Sequence, residues 1–153
     1  MPNKAELPIW IGKHLHEYRQ SPSKGHAWDA RAAGGHADTP TLLLTTTGRK
    51  SGKQLTSPLI YGVDGSNYVV VASKGGAPEH PSWYLNLQTQ PDVEVQVVEK
   101  KTRAVARTAT GAERQRLWEM MTAIYPPYPS YQRKTNREIP VVVLEPMANP
   151  DAS

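Results

Sequence analysis

Cysteine is absent from the 153 residues, which excludes disulfides, thiol catalysis, cysteine-ligated zinc and iron–sulfur clusters. Long apolar runs are absent as well. The longest, Leu42–Leu44, Val69–Ala72 and Pro140–Leu144, are strand-length, far below the ~20 residues a spanning helix needs. The N-terminus shows no secretory apolar core with a small-residue cleavage site. With a mean hydropathy of −0.58, a cytoplasmic location is the expectation. No Gly-x-Ser-x-Gly elbow marks a nucleophile. His14 and His16 stand two apart on a helix and face different ways, His26 and His36 fall in a loose segment, and His80 stands at a helix start. No metal site is expected from that scatter.

What is present begins with charge. The net charge is +4 and the pI about 9.4. Lys4, Lys13, Arg19, Lys24, Arg31, Arg49, Lys50 and Lys53 face only Glu6, Glu17, Asp29 and Asp38, so the excess lies within residues 1–53. Such a region suits anionic partners: a phosphorylated cofactor, nucleic acid or an anionic membrane surface. The length fits one domain with one hydrophobic core.

In residues 8–20, Ile11, Leu15 and Tyr18 recur at i, i+4 and i+7 beside Trp10, the pattern of a short amphipathic helix. It packs on the rest of the domain, or touches a membrane interface or a dimer partner. Residues 21–40 are rich in Gly, Pro and Ala and read as a loose connection, making 1–40 an N-terminal helix and linker ahead of a domain at 41–148. Strands are expected at 41–47, at 54–63 with Pro58 demanding an edge or bulge, and at 68–73 after an Asp64-Gly65 hairpin. A short helix follows Pro81 over 82–88. Val93, Val95 and Val97 alternate with polar residues in a strand at 92–99; a turn at 99–102 leads to another at 103–109. Thr110 and Glu113 suggest a capping box for a helix over 110–123 with Leu117, Met121 and Ile124 on one face. A buried strand closes the chain at 139–144. This order gives a mainly β, α+β domain whose six antiparallel strands readily close into a barrel.

Three segments can carry chemistry. Gly48-Arg-Lys-Ser-Gly-Lys53 fails as a P-loop, because three residues separate its glycines and Gln54 replaces the magnesium-binding hydroxyl. It remains a basic turn with several backbone N–H groups, a nest for phosphate or carboxylate. Ala72-Ser73-Lys74-Gly75-Gly76 ends the return strand of the next hairpin, at the same barrel end, and its glycines permit close ligand approach. In Tyr125-Pro-Pro-Tyr128-Pro-Ser-Tyr131 the prolines preclude a regular helix, leaving a stiff aromatic loop or a broken helical turn suited to a flat ligand.

These segments, with Pro81-Ser-Trp-Tyr-Leu-Asn-Leu87 and Pro91-Asp-Val-Glu-Val95, resemble the deazaflavin-dependent nitroreductase family of actinobacteria over roughly residues 40–146. The resemblance implies a six-stranded antiparallel split β-barrel of the FMN-binding type, with the reduced deazaflavin coenzyme F420 (8-hydroxy-5-deazaflavin) as hydride donor and FMN as the lesser alternative. It further implies that Arg49, Lys50, Ser51 and Gly52 contact the cofactor's phosphate and acidic tail, with Gly48 and Pro58 as further cofactor-binding positions. Ser73, Lys74 and Gly75, with Ala72, meet the ring or its side chain, and Trp83 and Asn86 support it. Tyr125, Tyr128 and Tyr131 line the substrate pocket and, with Ser73, are the candidate catalytic groups. Two positions depart from the family pattern: Leu55 replaces a basic residue, and Ile60 a pocket tyrosine, with Tyr61 on the opposite face.

The implied activity is hydride transfer to a quinone such as menaquinone, a nitroaromatic or an activated alkene, with peripheral membrane contact through the N-terminal helix and a homodimer as further expectations. The alternatives are a carrier of F420, FMN or a fatty acid without turnover, or a basic barrel binding single-stranded nucleic acid. The last is disfavoured, since the cations flank Gly turns and the tyrosines do not alternate along strands. No nucleic-acid partner is expected.

Overall fold

The computed structural model describes residues 9–147, with side chains from Lys13 onward. Helices α1 (Ile9–Gln20) and α2 (Pro22–His26) lead through the short β1 (Ala27–Trp28) to β2 (Thr39–Thr47), β3 (Gln54–Asp64) and β4 (Asn67–Val71). Helix α3 (Ser82–Thr89) precedes β5 (Asp92–Val97) and β6 (Lys100–Thr108); α4 (Gly111–Ile124) and α5 (Tyr128–Arg133) precede β7 (Val141–Pro146). Every pairing is antiparallel in the order β1-β2-β3-β4-β7-β6-β5, and β5 returns to β2 through Leu43↔Gln96, Leu44↔Val95 and Thr45↔Glu94. That return closes the six-stranded barrel that the strand pattern predicts.

Strand alternation builds two cores. Leu42, Leu44, Val70, Ala72, Val93, Val95, Val142 and Leu144 point into the barrel, where α3 inserts Trp83, Tyr84 and Leu87. The intervening Val69, Val71, Val141 and Val143 point outward onto Leu117 and Met121 of α4 and onto Tyr125, Tyr128 and Ile139. Because β4 and β7 are covered on both faces, their sequences run as unbroken Val stretches, with each fully buried Val or Leu contributing ~1.5–3 kcal/mol.

Several details differ from the sequence pattern. The 21–40 segment is ordered: α2, β1 and a 3-10 turn at Arg31–Ala33 fold back on the sheet, with Trp28 opposite Thr39. The β5–β6 turn is tighter than expected, since Val97 pairs with Lys100 and Val98 takes φ +56°. The capping box does not form. Thr110 makes no side-chain cap, and Glu113 is drawn to Arg107 of β6 at 2.6 and 2.9 Å, because a charged, forked donor outcompetes a backbone N–H. The Tyr-Pro stretch contains the short α5, which tolerates Pro129 in its first turn where no backbone donor is needed.

The N-terminal helices close the barrel end nearest the β3–β4 hairpin. Tyr18 is fully buried; its hydroxyl accepts from Val98 N–H (2.9 Å) and donates toward Thr41 O (3.0 Å) and Gln96 O (3.3 Å). His14 Nε2 meets Gly25 O at 2.8 Å, and His26 Nε2 meets the Tyr61 hydroxyl at 2.8 Å. The described part of the apolar stripe thus faces the barrel; the side chains of Trp10 and Ile11 lie outside the described residues. Helix α2 crosses α1 so closely that a Cβ on Gly25 would stand 2.4 Å from Tyr18 Cα. Gly25→Ala is therefore expected to destabilise the protein by ~1–3 kcal/mol through overpacking, read as a lower urea midpoint with an unchanged m-value.

Candidate functional site

Strands β2, β3 and β4 run antiparallel in succession, so the turns after β2 and after β4 emerge at the same end of the barrel. They are not adjacent in the sheet. Strand β4 pairs with β3 only over Tyr61–Asp64, while β2 pairs with β3 from Gln54 to Ile60. The β4-side edge of Gln54–Ile60 therefore carries no strand partner. Pro58 stands within it, where a missing N–H deprives no neighbouring strand. Leu55 is 43% exposed on this segment. Ile60 packs into the outer core while Tyr61 turns into the barrel, as their opposite faces require.

The Gly48–Lys53 turn is closed by Gly48 N–H to Lys53 O (2.7 Å), Gly52 N–H to Gly48 O (2.9 Å), and Lys53 N–H to Ser51 Oγ (3.1 Å). Arg49 folds back onto α3. Its backbone N–H and one guanidinium nitrogen both donate to Asn86 Oδ1, at 3.1 and 2.8 Å, and that nitrogen also approaches Ser82 O at 3.4 Å. Asn86 is 1% exposed and donates in turn to Thr46 Oγ1 at 3.3 Å. One buried amide thus pins the turn to α3. The backbone N–H groups of Lys50 and Ser51, with the exposed Lys50 ammonium, have no partner among the described residues. These are the donors a phosphate or carboxylate would take up.

The Ser73–Gly76 turn is built from left-handed residues: Lys74 at φ +46°, Gly75 at +63° and Gly76 at +84°. Gly76 is obligatory twice over, since its Cβ would also stand 2.6 Å from Tyr131 O. This turn and α5 are therefore in direct contact. Lys74 Nζ is held by Glu79 at 2.9 Å, and Ser73 is half-buried with no side-chain hydrogen bond among the described residues. Ala72 and Trp83 belong to the barrel interior beneath.

Of the three tyrosines, Tyr125 and Tyr128 are 4% and 3% exposed. Of the three, only Tyr131 is partly exposed. Burial pushes the Tyr125 and Tyr128 hydroxyls well above the ordinary phenol range. The Tyr125 hydroxyl meets that of Tyr131 at 2.8 Å. Either hydroxyl can be the donor in this pair. Lys134 Nζ stands 5.4 Å from the Tyr131 ring centre.

Arg137 was not evident from sequence, where it is one cation in a polar stretch. It donates to Ala77 O, Ala72 O, Ser73 O and His80 Nδ1, at 2.9, 3.1, 2.7 and 3.0 Å. Only its position opposite three carbonyls reveals it. Two open hollows of about 430 and 320 Å³ lie elsewhere, on the outer face of β2 and β5 around Thr45, Gln54 and Glu94. They include neither glycine turn's cations nor any tyrosine. Among the described residues no cluster of His, Asp and Glu can hold a metal, and no helix is long and apolar enough to cross a membrane.

A sequence model described as F420H(2)-dependent quinone reductase matches residues 16–146. An F420H(2)-dependent quinone reductase of Mycobacterium tuberculosis (strain ATCC 25618 / H37Rv) is 44% identical over 108 residues, covering 69% of this chain and 72% of that protein. Among solved structures, an F420-H2 dependent reductase (FDR-A) is 47% identical, with a TM-score of 0.65 over 69% of this chain and 94% of its own. Another, described as a domain-swapped dimer, is 39% identical, with a TM-score of 0.67 over 88% of this chain and 96% of its own. The fold is accordingly the split β-barrel of these reductases. The chain belongs to the F420H(2)-dependent quinone reductase family.

Proposed function

We propose that this protein transfers a hydride from reduced F420 to a quinone, using the barrel end framed by the Gly48–Lys53 and Ser73–Gly76 turns. The observation that carries the reading is the Gly48–Lys53 turn itself. Pinned by Asn86, it leaves the Lys50 and Ser51 N–H groups and the Lys50 ammonium unpaired, a donor set that fits a phosphorylated, acidic tail. Bound at this end, a reduced deazaflavin supplies the hydride, and the protein supplies grip and orientation. Lys50, Ser51 and Gly52 hold the anionic tail, with Arg49 shaping their turn. Ser73, Lys74 and Gly75 meet the ring, and Ala72, Trp83 and Pro58 bound the space beside the open edge of β3. Ser73 Oγ and the Tyr131 hydroxyl donate to the acceptor oxygen on which charge develops.

Menaquinone suits the exposed Leu55, which offers an apolar contact beside the site. Nitroaromatics fit the same hydride chemistry. A homodimer and contact of α1 with an anionic membrane complete the reading; size-exclusion chromatography and liposome flotation test them.

Mixing the protein with reduced F420 and menadione should regenerate the absorbance of oxidised F420 well above the protein-free rate. No turnover across several quinones, with tight cofactor binding, would identify a carrier instead. Lys50→Ala should weaken F420 binding roughly tenfold at low ionic strength and less at high salt, because an exposed charge is screened. Equal affinity for both proteins would remove that turn from the site. Asn86→Ala should cost ~1–3 kcal/mol in urea unfolding by leaving the Arg49 N–H without its acceptor, and should weaken F420 binding as well. A stability loss with unchanged affinity would separate the turn's anchor from the ligand.

A further inference from the structure

One side chain gathers several acceptors of the loop after β4. Four of the five N–H bonds of the Arg137 guanidinium reach it: to Ala77 O (2.9 Å), Ala72 O (3.1 Å), Ser73 O (2.7 Å) and His80 Nδ1 (3.0 Å). Three of these acceptors lie in, or directly beside, the Ser73–Gly76 turn. Guanidinium is a donor only, so His80 Nδ1 must be an unprotonated acceptor, and the imidazole is neutral with its proton on Nε2. His80 is half-buried, its ring centre 4.9 Å from that of Tyr84 in α3.

We propose that Arg137 is the positioning residue of the Ser73–Gly76 turn, and that His80 is its neutral latch, so the turn keeps its ligand-binding shape only while His80 is uncharged. A proton on Nδ1 would place N–H against N–H and cation against cation, and the fork would have to turn away. The carbonyls of Ala72, Ser73 and Ala77 would lose their donor together. Lysine cannot substitute, because a single ammonium lacks the planar fork that spans three carbonyls and a ring nitrogen. This rests on the reading that the turn meets the cofactor.

The charged and titratable groups around His80 support a neutral ring. Arg137 faces it from the segment before β7, and Tyr84 from α3. On its own loop, Glu79 is engaged with Lys74 at 2.9 Å. Burial and the guanidinium both lower the His80 pKa from its ordinary value, and burial lowers that of Arg137, with Glu79 acting against it. An unfolded chain takes up the His80 proton near pH ~6.5 and the folded one at lower pH. Latch stability is thus complete above that window and falls as the pH drops through it.

The test uses wild type, His80→Asn and Arg137→Lys. Asparagine places an amide oxygen near the position of Nδ1 and does not titrate. In the protein without cofactor, amide exchange of Gly76 and Ala77, bonded to Ser73 O and Lys74 O, is followed from pH 8 to 5 relative to intrinsic rates. Protection should fall with acid in wild type and stay level in His80→Asn. In parallel, oxidised F420 is titrated by fluorescence at each pH. Wild type should lose affinity in acid by up to ~tenfold per pH unit more than His80→Asn, the difference cancelling titration of the cofactor itself. Arg137→Lys should bind at least ~tenfold more weakly at pH 7.5.

Identical exchange profiles for wild type and His80→Asn would overturn the latch and leave the cofactor reading standing. The expected exchange difference with F420 binding indifferent to it would overturn the turn's role toward the ligand. An imidazole nitrogen spectrum showing the His80 proton on Nδ1 at pH 7.5 would overturn the proposal outright.

Discussion

Strand β3 is eleven residues long and its neighbour β4 only five, and much of the site follows from that mismatch. A barrel strand needs partners on both edges, because each unpaired backbone group must find water, a side chain or a ligand. The Gln54–Ile60 segment has β2 on one edge and no strand on the other. Extending β4 would seal the gap, yet three successive left-handed residues, Lys74 to Gly76, turn the chain away onto α5. The barrel remains closed through β2 and β5 and split along the β4-side edge of β3. Helix α3 fills the interior with Trp83, Tyr84 and Leu87.

The strand pattern was legible because burial writes directly into it. Alternating Val93, Val95 and Val97 marked a half-covered strand, and the apolar run at 139–144 marked a buried one. Punctuation was less legible. Val98 adopts a left-handed turn that a β-branched residue normally avoids, so the sequence put the hairpin turn too late. Glu113 looked like a capping residue because a linear pattern cannot show Arg107 approaching from another strand. Prolines in the tyrosine stretch suggested a stiff loop or a broken helical turn, and the short α5 forms because a first-turn proline is harmless. For the candidate site, the glycines located both turns, since positive φ and close contact leave a mark in residue type. Arg137 left none, because a guanidinium reaching carbonyls distant in sequence looks like any surface cation.

The distribution of free and engaged cations refines the meaning of the net charge. Among the basic residues that first suggested an anionic partner, Arg31 is paired with Asp29, and Arg49 serves Asn86 and Ser82. Lys74 is paired with Glu79. Lys50 stands exposed beside two free backbone donors. Arginine therefore shapes the two turns, a planar, many-donor group matched to carbonyls, while Lys50 stands as an exposed point charge of the kind the proposed anionic tail would meet.

The tyrosines show a similar division between structure and chemistry. Phenols as buried as Tyr125 and Tyr128 are poor acids at neutral pH, since their anions would lose solvation without gaining a cation. The Tyr125 hydroxyl instead meets that of Tyr131 at 2.8 Å. A hydroxyl that accepts one hydrogen bond donates the next more strongly, so a proton given by Tyr125 would strengthen Tyr131 as a donor. In the proposed reaction the partly exposed Tyr131 hydroxyl would then be the member of the trio able to meet a quinone oxygen on which negative charge develops.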